Sequence, residues 1–170
     1  LTAILEATPD LIAIATVDGR VYEVGATRER FTIQSISKPL VYGIALEDSG
    51  PEAVQRCVGV EPSGEAFNSI SLEHGTGRPM NPMINAGAIA TSALVAGADL
   101  DARLERVLRA MSTYAGRPLD IDQAVFESER ATGHRNRAIG HMLRNYDIIG
   151  DDPEPALELY FKQCSVLVNC

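Results

Sequence analysis

Apolar and polar residues follow two kinds of pattern along this chain, a short strand-like part first and a longer helical part after it. Leu11-Ile-Ala-Ile-Ala-Thr-Val17 is an apolar run of strand length. Asp18-Gly19 follows as a hairpin turn, and Arg20-Val-Tyr-Glu-Val24 alternates as a return strand. Arg28 to Thr32 is polar, and Ile36 to Asp48 then reads as a helix with Pro39 tolerable only in its first turn. That reading puts Ser35 at or just before a helix N-terminus, where the dipole favours developing negative charge. Pro39 also biases Lys38 away from helical angles, so a helical spacing between Ser35 and Lys38 does not follow from the sequence.

Gly59 to Pro82 is rich in Gly, Pro, Ser and Asn and reads as a long irregular stretch, of the kind that is usually functional or disordered. Ile84 to Ala98 is apolar but dominated by Ala and Gly, which predicts a buried helix that neighbours approach closely. Leu100, Leu104, Val107, Leu108 and Met111 fall on one helical face, capped by Asp99 or Asp101 and stopped at Gly116-Arg-Pro118. Ile121 to Arg130 and Asn136 to Asn145 predict two more helices, joined at Thr132-Gly133. A last helix begins at Asp152 as N-cap, with Pro153 at the first helical position. Leu1 to Ala7 reads as the tail of a helix, and Cys164 to Cys170 as an apolar segment without a stop signal. These ends predict one globular unit, residues 1–170, cut from a longer protein, with a hairpin part over 1–34 and a mainly helical part over 35–170.

Composition narrows the function classes. With 170 residues, 45% apolar and 22% charged, the chain is an ordinary globular domain, and no apolar run reaches membrane-spanning length. A net charge of −8 argues against gripping a phosphate backbone, so no nucleic acid is expected. Cys57, Cys164 and Cys170 are odd in number and widely spaced, which fits reduced thiols in a cytoplasm. Neither they nor His74, His134 and His141 have metal-ligand spacing, and no metal is expected.

Candidate chemistry centres on Gln34-Ser-Ile-Ser-Lys38. A serine hydroxyl becomes a nucleophile when something takes its proton, and a lysine one turn later does so if burial keeps it neutral. Ser-x-x-Lys is short enough to arise by chance, but this chain holds only two lysines among its 15 cationic Lys and Arg residues. Asn81 and Asn85 stand where an irregular loop gives way to an apolar helix; either caps that helix or turns its carboxamide to a ligand. Phe126 to Arg137 packs acids, bases and an asparagine into a helix-loop-helix, which alone reads as a solvated face. Tyr160 and Phe161 alone read as core packing.

Taken in order, these segments carry more. Gln34-Ser-Ile-Ser-Lys38, Glu61-Pro-Ser-Gly-Glu-Ala-Phe-Asn-Ser69, Asn81-Pro-Met-Ile-Asn-Ala-Gly-Ala88, Ser128-Glu-Arg-Ala-Thr-Gly-His-Arg-Asn136 and Tyr160-Phe-Lys-Gln-Cys-Ser165 resemble the serine-dependent glutaminase family. The resemblance runs from about Pro9 to Cys170. It implies an α+β, β-lactamase-like fold and hydrolysis of L-glutamine to L-glutamate and ammonia without a cofactor. It further implies Ser35 as nucleophile, Lys38 as its base and Tyr160 as a proton shuttle. Glu129, Asn136 and Asn85 match residues that hold the amino acid end of the substrate, and Gln34 neighbours it. The Ser35 N–H would supply half of an oxyanion hole. A homodimer or homotetramer is implied; the cysteines, the acidity and the bacterial look of the motifs predict a cytoplasmic location, or a mitochondrial one if the source were an animal.

The same resemblance implies a substrate-contacting tyrosine before the first strand. A second tyrosine, an oxyanion-hole valine and the strands completing the sheet would lie after Cys170. The 170-residue chain alone is therefore expected to have little or no activity. A β-lactamase or transpeptidase should add Ser-Asp-Asn and Lys-Thr-Gly, neither of which occurs here. A non-catalytic amino acid-binding domain is the alternative from another class.

Overall fold

The structure, a computed structural model, describes residues 11–66 and 68–170. The helix tail read at Leu1 to Ala7 lies outside the described residues. The hairpin forms as its pattern predicts, with β1 (Ile12–Ala15) antiparallel to β2 (Val21–Val24) and Ile12 opposite Val24. Gly19 takes a φ of 83° in the turn between them, which a side chain would oppose. A second small sheet is not predicted by the sequence pattern. It pairs β3 (Phe31–Thr32) with β4 (Leu167–Val168), and the Ile33 N–H extends it by donating to the Val166 carbonyl at 2.8 Å. Two-residue strands carry no readable alternation, and their partners lie at opposite ends of the chain.

Seven helices occur among the described residues: α1 (Ser37–Ser49), α2 (Pro51–Cys57), α3 (Asn85–Ala93), α4 (Leu100–Ala115), α5 (Gln123–Thr132), α6 (His134–Asn145) and α7 (Glu154–Cys164). Helix α2 has no counterpart in the sequence pattern. Its signals are Gly50, at a φ of 79°, ending α1, and Pro51 at the first helical position. The remaining helices match expectation, with shifted starts. Asp122 caps α5 by accepting from the Val125 N–H, which moves its start past Ile121. Helix α6 begins two residues early, directly after Gly133. At α7, Pro153 is the N-cap and Glu154 the first helical residue, while the Asp152 carboxylate accepts from the Glu154 N–H at 3.0 Å.

Helix α3 is the hub. Its residues from Asn85 to Ser92 are all buried, and α1, α6 and α7 pack around it. Small side chains allow this closeness: a Cβ on Gly87 would stand 1.9 Å from the Asn81 carbonyl oxygen. One apolar cluster joins Ile89, Phe126, Ile139, Leu143, Leu157 and Phe161 across α3, α5, α6 and α7. A second joins Ile33, Val41, Ile44, Val107, Met111 and Leu159 across α1, α4 and α7. Helix α7 belongs to both, so its residues are fixed from two sides. At the far end of α1, Arg106 of α4 grips Glu47 and Asp48, and Asp48 also accepts from the Ala96 N–H at 3.0 Å. No helix of the described residues is long and apolar enough to cross a membrane.

Candidate active site

The chain leaves β3, bonds through Ile33 to the end strand, and then turns sharply. Gln34 has a φ of 50°, the left-handed region that residues with a Cβ avoid at a cost of about 1–2 kcal/mol. A single 3₁₀ turn, Gln34–Ile36, leads into α1. This turn leaves Gln34, Ser35 and Ile36 exposed, whereas Ser37 and Lys38 go inside. The Gln34 side chain donates from Nε2 to Thr32 Oγ1 at 3.1 Å.

Lys38 is helical, so the bias imposed by Pro39 does not prevail. The proline ring sits in the first turn of α1, where its missing N–H has no partner to lose. Lys38 is only 2% exposed, unusual for an amine. Its Nζ donates to the Met83 carbonyl at 3.0 Å and to Asn85 Oδ1 at 2.7 Å. Burial pulls its pKa below the ordinary lysine range, with the nearby Cys164 thiol acting in the opposite direction.

Asn85 presents its oxygen to the Lys38 amine, which leaves its Nδ2 to turn elsewhere. That Nδ2 donates to Asn136 Oδ1 at 3.1 Å, linking α1, α3 and α6 in one string. Asn85 is thus the first residue of α3 and not its cap. Nor does Asn81 cap it, since Ile84 is the N-cap and no side chain caps it. Asn81 Oδ1 instead accepts from the Met83 and Ile84 N–H groups at 3.0 and 3.3 Å, shaping the turn that leads into α3. Its Nδ2 donates to the Glu61 carbonyl at 2.9 Å, so it also pins the irregular loop.

Tyr160 is 4% exposed on α7, its ring tilted against Phe161 at 5.9 Å. Burial, then Cys164, then the Glu129 carboxylate all push its pKa upward. The phenol therefore keeps its proton. Cys164, one turn on, is pushed up to about 11, chiefly by burial. Glu129, half-buried on α5, acts electrostatically on both groups. Lys38, Asn85 and Asn136 are thus joined by direct bonds, while Tyr160, Cys164 and Glu129 form a second group beside Lys38. Gln34 and Ser35 lie on the exposed turn above.

Sequence reasoning missed Ser37, Gln163 and Cys164. Two signals were available: Ser35-Ile-Ser37 offers two serines, of which only one can be the nucleophile, and Gln163 and Cys164 share a helix face with Tyr160 at spacings of three and four. A cleft of about 540 Å³ opens beside Lys38's acceptor Met83, lined also by Tyr42, Val60, Asn81 and Ile84. Among the described residues, no three His, Cys, Asp or Glu side chains are grouped to hold a metal.

The structure thus places a buried lysine one turn along the chain from an exposed serine and ties it to two linked carboxamides within an α+β fold. Comparison with known proteins gives the family. The glutaminase family profile matches residues 3–170, and the chain belongs to that family. It is 56% identical over 164 residues to a glutaminase of Trichormus variabilis, covering 95% of this chain and 49% of that protein. It is 54% identical over 158 residues to glutaminase 2 of Bradyrhizobium diazoefficiens, covering 93% of this chain and 25% of that one. The chain thus spans about half the length, or less, of these curated relatives. Among solved structures, Mglu in its glutamate form superposes with a TM-score of 0.87 at 48% identity, covering 98% of this chain and 40% of that one. A probable glutaminase of Bacillus subtilis gives 0.88 at 36% identity, covering 92% and 51%. The α+β, β-lactamase-like fold class implied by the sequence is the class of this structure.

Proposed function

We propose that the protein hydrolyses the side-chain amide of L-glutamine, giving L-glutamate and ammonia, with Ser35 as nucleophile and Lys38 as base. The observation that carries this reading is the buried, pKa-lowered Lys38, fastened to Asn85 one turn after Ser35. Burial shifts the amine toward the neutral form, the only form that takes a proton. Ser35 Oγ attacks the amide carbon as its proton passes to Lys38. The tetrahedral intermediate then collapses, its C–N bond breaks, and the amide nitrogen leaves as ammonia with that proton. Water attacks the resulting ester, Lys38 again takes a proton, and glutamate departs as Ser35 recovers its hydrogen.

Tyr160, held as a phenol, serves in this scheme as a donor that relays protons and not as a phenolate base. Each of the two linked asparagines has a donor left over. Asn85 spends one Nδ2 hydrogen on Asn136, and Asn136 spends only its oxygen. The remaining N–H groups suit the α-carboxylate, and Glu129 suits the α-ammonium. Gln34, on the exposed turn, borders the bound amino acid. The Mglu relative, solved in its glutamate form, supports an amino acid product in a fold of this kind. The protein acts without a cofactor, in the cytoplasm, as a homodimer or homotetramer.

The test is ammonia release from L-glutamine by the full-length protein beside its Ser35→Ala variant. A loss of at least about a thousandfold is expected when the nucleophile goes. A folded full-length protein that releases no ammonia would sink the proposal and favour a non-catalytic amino acid-binding domain.

A further inference from the structure

Behind the exposed turn lies a line of polar side chains that the proposed chemistry does not use. Ser92 of α3, Gln163 of α7 and Ser37 of α1 are each 0% exposed. Polar groups at that depth are unfavourable unless they are paired, and these pair with one another. Ser92 Oγ donates to Gln163 Oε1 at 3.1 Å, sharing its hydrogen with the Ala88 carbonyl at 2.8 Å. Gln163 Nε2 donates to Ser37 Oγ at 3.4 Å. Ser37 Oγ in turn donates to the Gln34 carbonyl at 2.7 Å. A hydroxyl has one hydrogen, and Ser37 commits its own to Gln34, so it can only accept from Gln163. The Cys164 thiol, 4.0 Å from the same oxygen, is then a second donor to it.

The line therefore has a direction and an end, and the end is the peptide that joins Gln34 to Ser35. No cis peptide occurs among the described residues. In a trans peptide the carbonyl and the following N–H lie in one plane and point in opposite directions within it. Gripping the Gln34 oxygen from inside aims the Ser35 N–H outward, and with it sets the position of Ser35. The Ser37 main-chain N–H donates to the same oxygen, so the side-chain line adds a second hold on a turn whose Gln34 sits at a φ of 50°.

We infer that Gln163 and Ser37 are positioning residues for Ser35, acting through the carbonyl of Gln34. The inference rests on the reading of Ser35 as the nucleophile. It gives the Tyr160-Phe-Lys-Gln-Cys164 segment two roles, since Tyr160 relays protons in the proposed scheme while Gln163 braces the nucleophile turn.

The experiment compares the full-length protein with its Gln163→Met, Ser37→Ala and doubly substituted forms. Methionine keeps the length of glutamine without its polar atoms. Each single change should lower kcat for glutamine about ten- to a hundredfold while KM moves less than about threefold, because the reacting atoms are misplaced and binding is spared. The double variant should fall no further than Ser37→Ala, since both act through one line. A second readout needs no substrate: amide hydrogen exchange in residues 31–38 should quicken in Gln163→Met while that of α4 stays unchanged.

Unchanged kcat with unchanged exchange in a folded variant would overturn the inference. So would a fall in kcat accompanied by equal loosening of α4, which marks general destabilisation. If Gln163→Met fails to fold, Ser37→Ala carries both readouts. If the unsubstituted protein releases no ammonia, the glutaminase reading fails, and hydrogen exchange still decides whether the turn is held from Gln163.

Discussion

In the proposed mechanism Lys38 must lose a proton before it can take one. Burial lowers its pKa, and its bonds to Met83 and Asn85 go to neutral oxygens. A base works in its deprotonated form, so kcat/KM should rise with pH through the Lys38 pKa. That rise should fall below the ordinary lysine value of about 10.4. Asn85→Asp offers a signed test. A carboxylate 2.7 Å from the amine would favour the charged lysine, so the rising limb should move to higher pH. Activity at pH 7 should drop at least about tenfold, as expected for a shift of one unit or more. A pH–rate profile of the two proteins decides it; an unmoved limb would remove Lys38 from the role of base. The scarcity of lysine in the sequence makes Ser35 and Lys38 conspicuous. The partners of Lys38 were not legible, because Asn85 lies 47 positions away and Asn136 a further 51.

Single helices show which patterns can be read. Helix α4 was plain because half of it faces water, so apolar and polar positions separate around its axis, and Asp99 and Gly116 mark its ends. Its cap accepts from the Ala102 N–H at 2.8 Å. Asp99→Ala should cost about 1 kcal/mol of stability, measured by denaturant unfolding, and leave kcat unchanged. Helix α3 is apolar all round, so periodicity said nothing about its contacts; its small residues did. Gly87→Ala would bring a methyl to 1.9 Å from the Asn81 carbonyl, beside the Asn81 bonds that set up Asn85. It should lower stability by about 1–3 kcal/mol and, unlike the cap variant, lower kcat as well. Equal activity in the two variants would show that the α3 start tolerates movement. Helix α2 and the strands β3 and β4 escaped notice because seven- and two-residue elements carry too little pattern.

At the scale of the molecule, the three thiols report how the fold divides inside from outside. Cys170 is exposed, Cys57 half-buried and Cys164 buried, so a thiol reagent at pH 8 should label them in that order, with Cys164 reached only on unfolding. Mass mapping of the labelled peptides would check this. The folded pKa of Cys164 is raised to about 11, so its contribution to stability is whole below its unfolded value of about 8.5 and is lost as pH rises to about 11. Cys57 and Tyr160 shift in the same direction, whereas Lys38, lowered by burial, contributes stability that grows with pH up to about 10.4. Tm should therefore fall more steeply above pH 9 in the parent than in Cys164→Ala. Local pattern gave the hairpin and most of the helices, but the assembly was not legible locally, since Ser37 and Cys164 meet across 127 positions. Only the ordered run of five resembling segments reached over that distance. The left-handed Gln34 has one more consequence. A laboratory selection for heat resistance alone would drift toward glycine at position 34, where φ is free, and on the proposed mechanism its hardier winners would release ammonia more slowly.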